Sequence, residues 1–424
     1  MRRHRSQFVV VAAWFVVAAS VDFGRAQAPP VAGYRPSVAV AAPTRLDYVF
    51  ALANQSPAEP PADWLPGYDS TSQRYELFAP PRPARGPGLP LVLFVSAGPK
   101  PAGWAQWQAV CRQAGIAFAS PFDAGNDCPA PRRIRIVLDV LDDVRRRLPI
   151  DPDRTYLAGF SGGARIACGI AFALPELFGG AAVVGGAESL REESWLRRRV
   201  AERLSVALIT GETDFNRGEL ERFRGPVLAG VGVRTKVWVV PNSGHAIPDA
   251  TRLAEAYRWL EEGTAARRAL AARRPASRIA ADKAPSRTEW SADLLAEAKR
   301  RLAEPAGTYD GLMQLQGISV RWAGLPAAEE AARLLAEYDA RAERPWEADD
   351  LAEQRRFLLA EARGLSDYAA GPLPPQYARQ RASMIGGALE RWKLLQTDDP
   401  DGAAGKEAAR RIEELERLLA APPP

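Results

Sequence analysis

Histidine is nearly absent from this chain: there are two in 424 residues, His4 and His245. His4 falls in an N-terminal stretch that reads as a targeting segment, so a processed chain keeps a single imidazole, and chemistry that needs several is excluded. Cysteine is almost as scarce, with Cys111, Cys128 and Cys168 scattered along the sequence. Three thiols and one histidine at these positions make no zinc-ligand spacing, and neither a metal nor any other cofactor is expected. A continuous basic stripe is also missing. The 56 Lys and Arg residues interleave with 51 Asp and Glu, which argues against nucleic-acid binding.

Long apolar runs are confined to the N-terminus. Met1-Arg2-Arg3-His4-Arg5 precedes the apolar stretch Phe8 to Val21, which has the charged and hydrophobic regions of a secretory signal and is short for a membrane span. Small residues at Gly24 and Ala26 place the cleavage site before Gln27, giving a signal over residues 1–26 and an exported, periplasmic or secreted protein; an uncleaved membrane anchor is the alternative. Arg2, Arg3, Arg5 and Arg25 lie in this segment against Asp22, so most of the formal charge of +5 leaves with it. Export permits a disulfide, for which Cys111 and Cys128 are the natural pair. The proline-bearing segment 27–43 is expected to be disordered, as is the Pro422–Pro424 end.

Against this sparse background three positions stand out. Gly159-Phe160-Ser161-Gly162-Gly163 spells the pattern G-x-S-x-G, with an apolar run from Arg154 before it and a small-residue helix from Ala164 to Phe172 after it. Asp214 follows the apolar run Val206 to Thr210, and His245 follows Val233 to Val240 within Asn242-Ser243-Gly244-His245. A serine hydroxyl becomes a useful nucleophile when an imidazole takes its proton, and a carboxylate fixes the tautomer of that imidazole. Ser161 would attack, His245 would carry protons and Asp214 would orient. The bare five-residue pattern also describes a loop serine capping a helix; the strand, turn and helix around it, with acid and histidine following in order, favour the nucleophile. Glu212, on the same loop, and Asp249 are the other acids near enough in sequence, although Asp249 suits the first turn of a helix from 249 to 260.

Acyl transfer further requires N–H donors for the oxyanion. Gly162 supplies one, and the loop Ser96-Ala97-Gly98-Pro99 after the strand Leu89 to Val95 supplies the other through Ala97 or Gly98. The same loop reads equally as an ordinary Gly/Pro turn. Trp104 and Trp107, three apart on a helix that follows, offer either an aromatic platform for substrate or a cover for the sheet. Arg165 suits a structural ion pair or an anionic substrate group.

From about Arg74 to Leu260 these features together resemble an α/β-hydrolase of the exported esterase type, similar to polyhydroxybutyrate depolymerase-like, feruloyl and acetylxylan esterases. The resemblance implies an α/β fold with a mostly parallel central sheet flanked by helices, and an ester substrate, polymeric or an aryl or acetyl sugar ester. Those esterases carry His-Gly where this chain has Ser96-Ala97, which puts substrate and rate in question. Two other readings follow: a catalytically silent hydrolase fold that binds a partner or polymer, and a serine peptidase similar to prolyl oligopeptidases, though without their second domain.

The composition changes after Gly263. Residues 44–263 are assigned to the hydrolase unit, 264–287 to a charged Ala/Pro linker, and 288–420 to an all-helical domain. Within the latter, Tyr309, Arg321-Trp322 and Glu330 to Arg333 echo Tyr377, Arg391-Trp392 and Glu407 to Arg410, as helical-hairpin repeats that present a surface to a protein partner would. A chain ending near Gly263 is expected to fold alone.

Overall fold

The computed structural model describes residues 32–52, 65–81 and 88–420; the expected signal segment and the Pro422–Pro424 end lie outside them. Period-two alternation organises the central sheet. Along β3 (Leu89–Val95), Leu91, Leu93 and Val95 enter one core while Val92 and Phe94 enter another. Both faces are covered, so the strands read as unbroken apolar runs.

In chain order the elements are β1 (Gly33–Ala39), α1 (Val49–Leu52), β2 (Arg74–Ala79), β3, α2 (Trp104–Ala114), β4 (Ala117–Pro121), α3 (Ala130–Arg147), β5 (Ile150–Phe160) and α4 (Gly162–Ala173). Then come β6 (Gly180–Val184), α5 (Ser194–Arg203), β7 (Ser205–Gly211), α6 (Arg217–Glu219), α7 (Gly225–Gly230), β8 (Arg234–Val240), α8 (Ala250–Glu262) and α9 (Thr264–Arg273). Seven helices complete the described chain: α10 (Arg287–Leu302), α11 (Thr308–Arg321), α12 (Pro326–Asp339), α13 (Trp346–Ala370), α14 (Pro375–Ala378), α15 (Arg381–Asp398) and α16 (Ala403–Ala420).

The sheet runs β1-β2-β4-β3-β5-β6-β7-β8. The strands from β4 to β8 are parallel, and β2 pairs antiparallel with both β4 and β1. One face packs on α3, α4 and α5, the other on α2 and α8. Parallel strands aim their carboxyl ends at one edge, where such sheets bind ligands.

Three expectations are corrected. Residues 33–39, expected within a disordered segment, form β1. Proline is tolerated there because β1 is an edge strand, and Tyr34 fixes it by donating to Glu76 at 2.6 Å and stacking on Trp104 at 4.9 Å. The stretch read as a linker is largely packed. Arg267 of α9 is buried, donating to the Asp153 carbonyl at 2.7 Å and the Tyr156 hydroxyl at 2.9 Å, while the carbonyls of Ala280 and Lys283 accept from Arg145. Ala/Arg composition resembles a flexible linker, yet here Arg267, Arg268, Arg274 and Arg278 each meet an acceptor on the hydrolase unit. The cysteines are free. Cys111 lies in the core between α2 and the sheet, where burial pushes its thiol well above the usual range, whereas Cys128 sits in the loop after β4 beside the Pro129 carbonyl.

The C-terminal helices make two three-helix groups with separate cores, α10-α11-α12 around Trp322 and α13-α15-α16 around Trp392. Each indole is buried with its N–H donating, to Asp47 and to Ser366 respectively. Both groups also lie against the hydrolase unit. Gly317 of α11 meets the Trp195 ring of α5 so closely that a Cβ would be 2.7 Å from it, and Arg321 reaches the buried Glu176 at 2.6 Å. Phe357 of α13 lies under the Arg197 guanidinium at 3.8 Å.

Candidate active site

Six loops converge at the carboxyl edge of the sheet, following β3, β4, β5, β6, β7 and β8. Ser161 ends β5 with φ 54° and ψ −120°, one of three described non-glycine residues with positive φ. Such a backbone costs of order 1–3 kcal/mol and persists when its surroundings enforce it. Here the glycines do so: a Cβ on Gly159 would lie 2.6 Å from the Gly163 carbonyl carbon, and one on Gly163 would overlap the Val95 carbonyl oxygen. The tight turn throws Ser161 up from the sheet at the start of α4, whose first N–H groups, Gly162 among them, have no intrahelical acceptor.

Asp214 sits three residues past β7, buried, and each carboxylate oxygen is engaged. Oδ1 accepts from the Asn216 N–H at 2.8 Å and lies 2.9 Å from His245 Nδ1, and Oδ2 accepts from the Thr210 hydroxyl at 3.1 Å. The contact places the Nδ1 proton toward the acid and leaves Nε2 to accept. Glu212 instead accepts from the Asn242 N–H at 2.9 Å and so holds the turn that carries His245. Asp249 caps α8, accepting from the Arg252 N–H at 3.0 Å. Of the three acids weighed from sequence, the imidazole meets Asp214. No hydrogen bond joins Ser161 to His245 in this structure; such bonds commonly close when substrate is bound.

Sequence reasoning missed what surrounds the imidazole. Phe160 and Phe215 flank His245, with ring centroids at 4.7 and 4.2 Å, and Phe215 is 46% exposed. Gly185, after β6 with φ +63°, packs so near that a Cβ would lie 2.9 Å from His245 Cε1 and 3.1 Å from Asp214 Oδ2. Its carbonyl accepts from Asn216 at 2.8 Å. Beside it, a Cβ on Gly186 would lie 2.8 Å from the Ser161 carbonyl oxygen. The pair Gly185-Gly186 at the end of an apolar strand was the available signal.

In the loop after β3, the Gly98 N–H donates to Ser96 Oγ at 3.1 Å and is thereby occupied, leaving Ala97 as the unengaged amide of the two candidates. The two tryptophans do not reach the site. Trp107 is buried in the core under α2, and Trp104 stacks among Tyr34, Phe78 and Phe118. The helix turns its apolar face to the sheet, so both aromatics cover it. Arg165 makes a two-pronged ion pair with Glu219 at 2.7 and 2.6 Å.

Strand order, elbow and the placement of these loops define the architecture as an α/β-hydrolase fold with added C-terminal helices. No protein-family model matches the chain, and no curated protein matches it in sequence. Among solved structures it is similar to an S-formylglutathione hydrolase from Staphylococcus aureus, at 15% identity and a TM-score of 0.36 over 46% of this chain and 94% of that one. A thermostable esterase matches at 18% identity and a TM-score of 0.33, over 46% and 60%. A puromycin-hydrolysing peptidase from Mycobacterium tuberculosis matches at 14% and 0.34, over 47% and 39%.

Proposed function

We propose that the protein is an exported serine hydrolase acting on carboxylic esters through an acyl-enzyme, with Ser161 as nucleophile, His245 as proton carrier and Asp214 as its orienting acid. The observation that carries the reading is the buried Asp214 carboxylate 2.9 Å from His245 Nδ1, beside a serine held at positive φ. In this scheme Ser161 Oγ attacks the ester carbonyl carbon as its proton passes to His245 Nε2. The tetrahedral oxyanion is met by the N–H groups of Gly162 and Ala97. Collapse expels the alcohol, which takes the proton from His245; water then attacks the acyl-serine with His245 as base, and the carboxylic acid leaves.

Phe160 and Phe215 give the site an apolar wall, which suits an aryl or acyl group. Between β6 and β7 the chain has little beyond α5 to cover the cleft, so a bulky, polymeric or sugar-borne ester fits this reading best. Assay of p-nitrophenyl and feruloyl esters, aminoacyl amides and polyester films tests it. Ester turnover well above amide turnover is expected; preference for aminoacyl amides, or inertness toward every ester, would overturn the proposal.

A further inference from the structure

The loop after β4 brings a residue to the nucleophile that the scheme above leaves unused. Asn126 lies against Gly162 so tightly that a Cβ there would overlap its Oδ1 and lie 3.0 Å from its Nδ2. In the proposed scheme the Gly162 N–H meets the developing oxyanion. The Asn126 side chain is exposed and makes no hydrogen bond to any described residue.

Its backbone, in contrast, is fixed. The Asn126 N–H donates to the Ala97 carbonyl at 2.8 Å, and the Asp123 N–H donates to the Pro99 carbonyl at 2.7 Å. Gly125 allows this zipper, since a Cβ there would be 2.6 Å from the Gly98 carbonyl carbon. Arg133 of α3 clamps both loops from behind, donating to the carbonyls of Ala124 and, at 3.0 Å, Ser96. The β3 and β4 loops are thus one rigid unit, with a free carboxamide at its tip beside the first amide of α4. Donors placed where charge develops stabilise a transition state.

We propose that the Asn126 side-chain amide is an oxyanion donor of this hydrolase, completing with the N–H groups of Gly162 and Ala97 a hole from which Ser96 has withdrawn the Gly98 amide. The inference rests on the serine-hydrolase reading. Asn126 Nδ2–H donates to the carbonyl oxygen as it becomes O⁻; no covalent bond to Asn126 forms or breaks.

The test compares wild type with Asn126→Ala and Asn126→Asp on one p-nitrophenyl ester and its thionoester counterpart, whose sulfur is a weaker acceptor for such donors. Asn126→Asp keeps the shape against Gly162 but removes the donor, so it separates hydrogen bonding from packing. Both variants should keep the wild-type melting temperature and lose on the order of 10²-fold in kcat on the oxoester with little change in KM. Their preference for oxoester over thionoester should fall. An unchanged oxo-to-thiono preference with near-normal kcat overturns the proposal, and so does a loss confined to Asn126→Ala, which would mark a packing role. If wild type itself neither hydrolyses esters nor takes a phosphonate label on Ser161, the hydrolase reading falls and this inference with it.

Discussion

At the scale of single residues the site is organised by what is held against the imidazole. Asp214 has both oxygens engaged and the ring of His245 on one of them, whereas Glu212 and Asp249 spend their carboxylates on backbone N–H groups. Replacing Asp214 by Asn should therefore cost about 10⁴-fold in kcat, the scale of losing the correct tautomer, with Glu212→Gln and Asp249→Asn far milder; steady-state kinetics on a soluble ester would show the ranking, and equal losses would refute it. Gly185 is the second sensitive point. Its positive φ and the 2.9 Å approach to His245 leave no room for a methyl group. Gly185→Ala should lower kcat on the order of 10²-fold by displacing the ring, with secondary structure unchanged by circular dichroism. A fully active Gly185→Ala enzyme would show that the imidazole does not need that seat.

At the scale of elements, most of what positions the site was legible. The apolar runs of β3, β5 and β7 and the small-residue helix after Ser161 carry their periods openly, because both faces of the sheet are buried there. The six long C-terminal helices were likewise visible in their spacing. Where the reading failed, tertiary partners decided. β1 is held by Tyr34 reaching across to Glu76 and Trp104, contacts separated by tens of residues that proline density conceals. Trp104 and Trp107 took the second of their two readings, cover for the sheet, a choice that helical spacing alone leaves open. Phe215 was illegible as a neighbour of the imidazole because it acts by a contact with a distant element, and Gly185 showed only as half of a glycine pair after an apolar run.

Arg321 makes a buried ion pair between α11 and the hydrolase unit. Burial alone would raise the Glu176 carboxyl, but Arg321 and Arg199 outweigh it and hold it below its ordinary range. A group depressed in this way contributes stability above the carboxyl's unfolded value and loses it as pH falls through the folded one. Arg321→Ala leaves a buried carboxylate short of its main partner and should destabilise by about 3–5 kcal/mol near neutral pH. Denaturant unfolding should show the gap to wild type shrinking in acid, where Glu176 is protonated in both proteins; a constant gap would mean that Arg321 acts through packing.

At the scale of the whole molecule, the sequence suggested two separable units and the packing argues for interdependence. Arg278 pairs with the buried Asp153 carboxylate, Arg321 with that of Glu176, and Trp195 is covered by α11. A chain ending at Gly263 strips these partners from buried acids at once. It is expected to be insoluble or to melt far below the full chain; a soluble fragment with unchanged melting temperature and ester turnover would restore the two-domain picture. The loops that carry Ser161, Asp214 and His245 sit at the carboxyl edge of the sheet, while α11 packs on α5 and α13 packs on α7 and the turn Leu220–Arg224.

The central claim is that Ser161 is an activated nucleophile, and covalent trapping tests it most directly. The full-length protein, treated with a fluorophosphonate and digested for mass spectrometry, should carry one phosphonyl group on the peptide containing Ser161, and Ser161→Ala should carry none at equal exposure. A label on another residue, or equal labelling of wild type and Ser161→Ala, would contradict it.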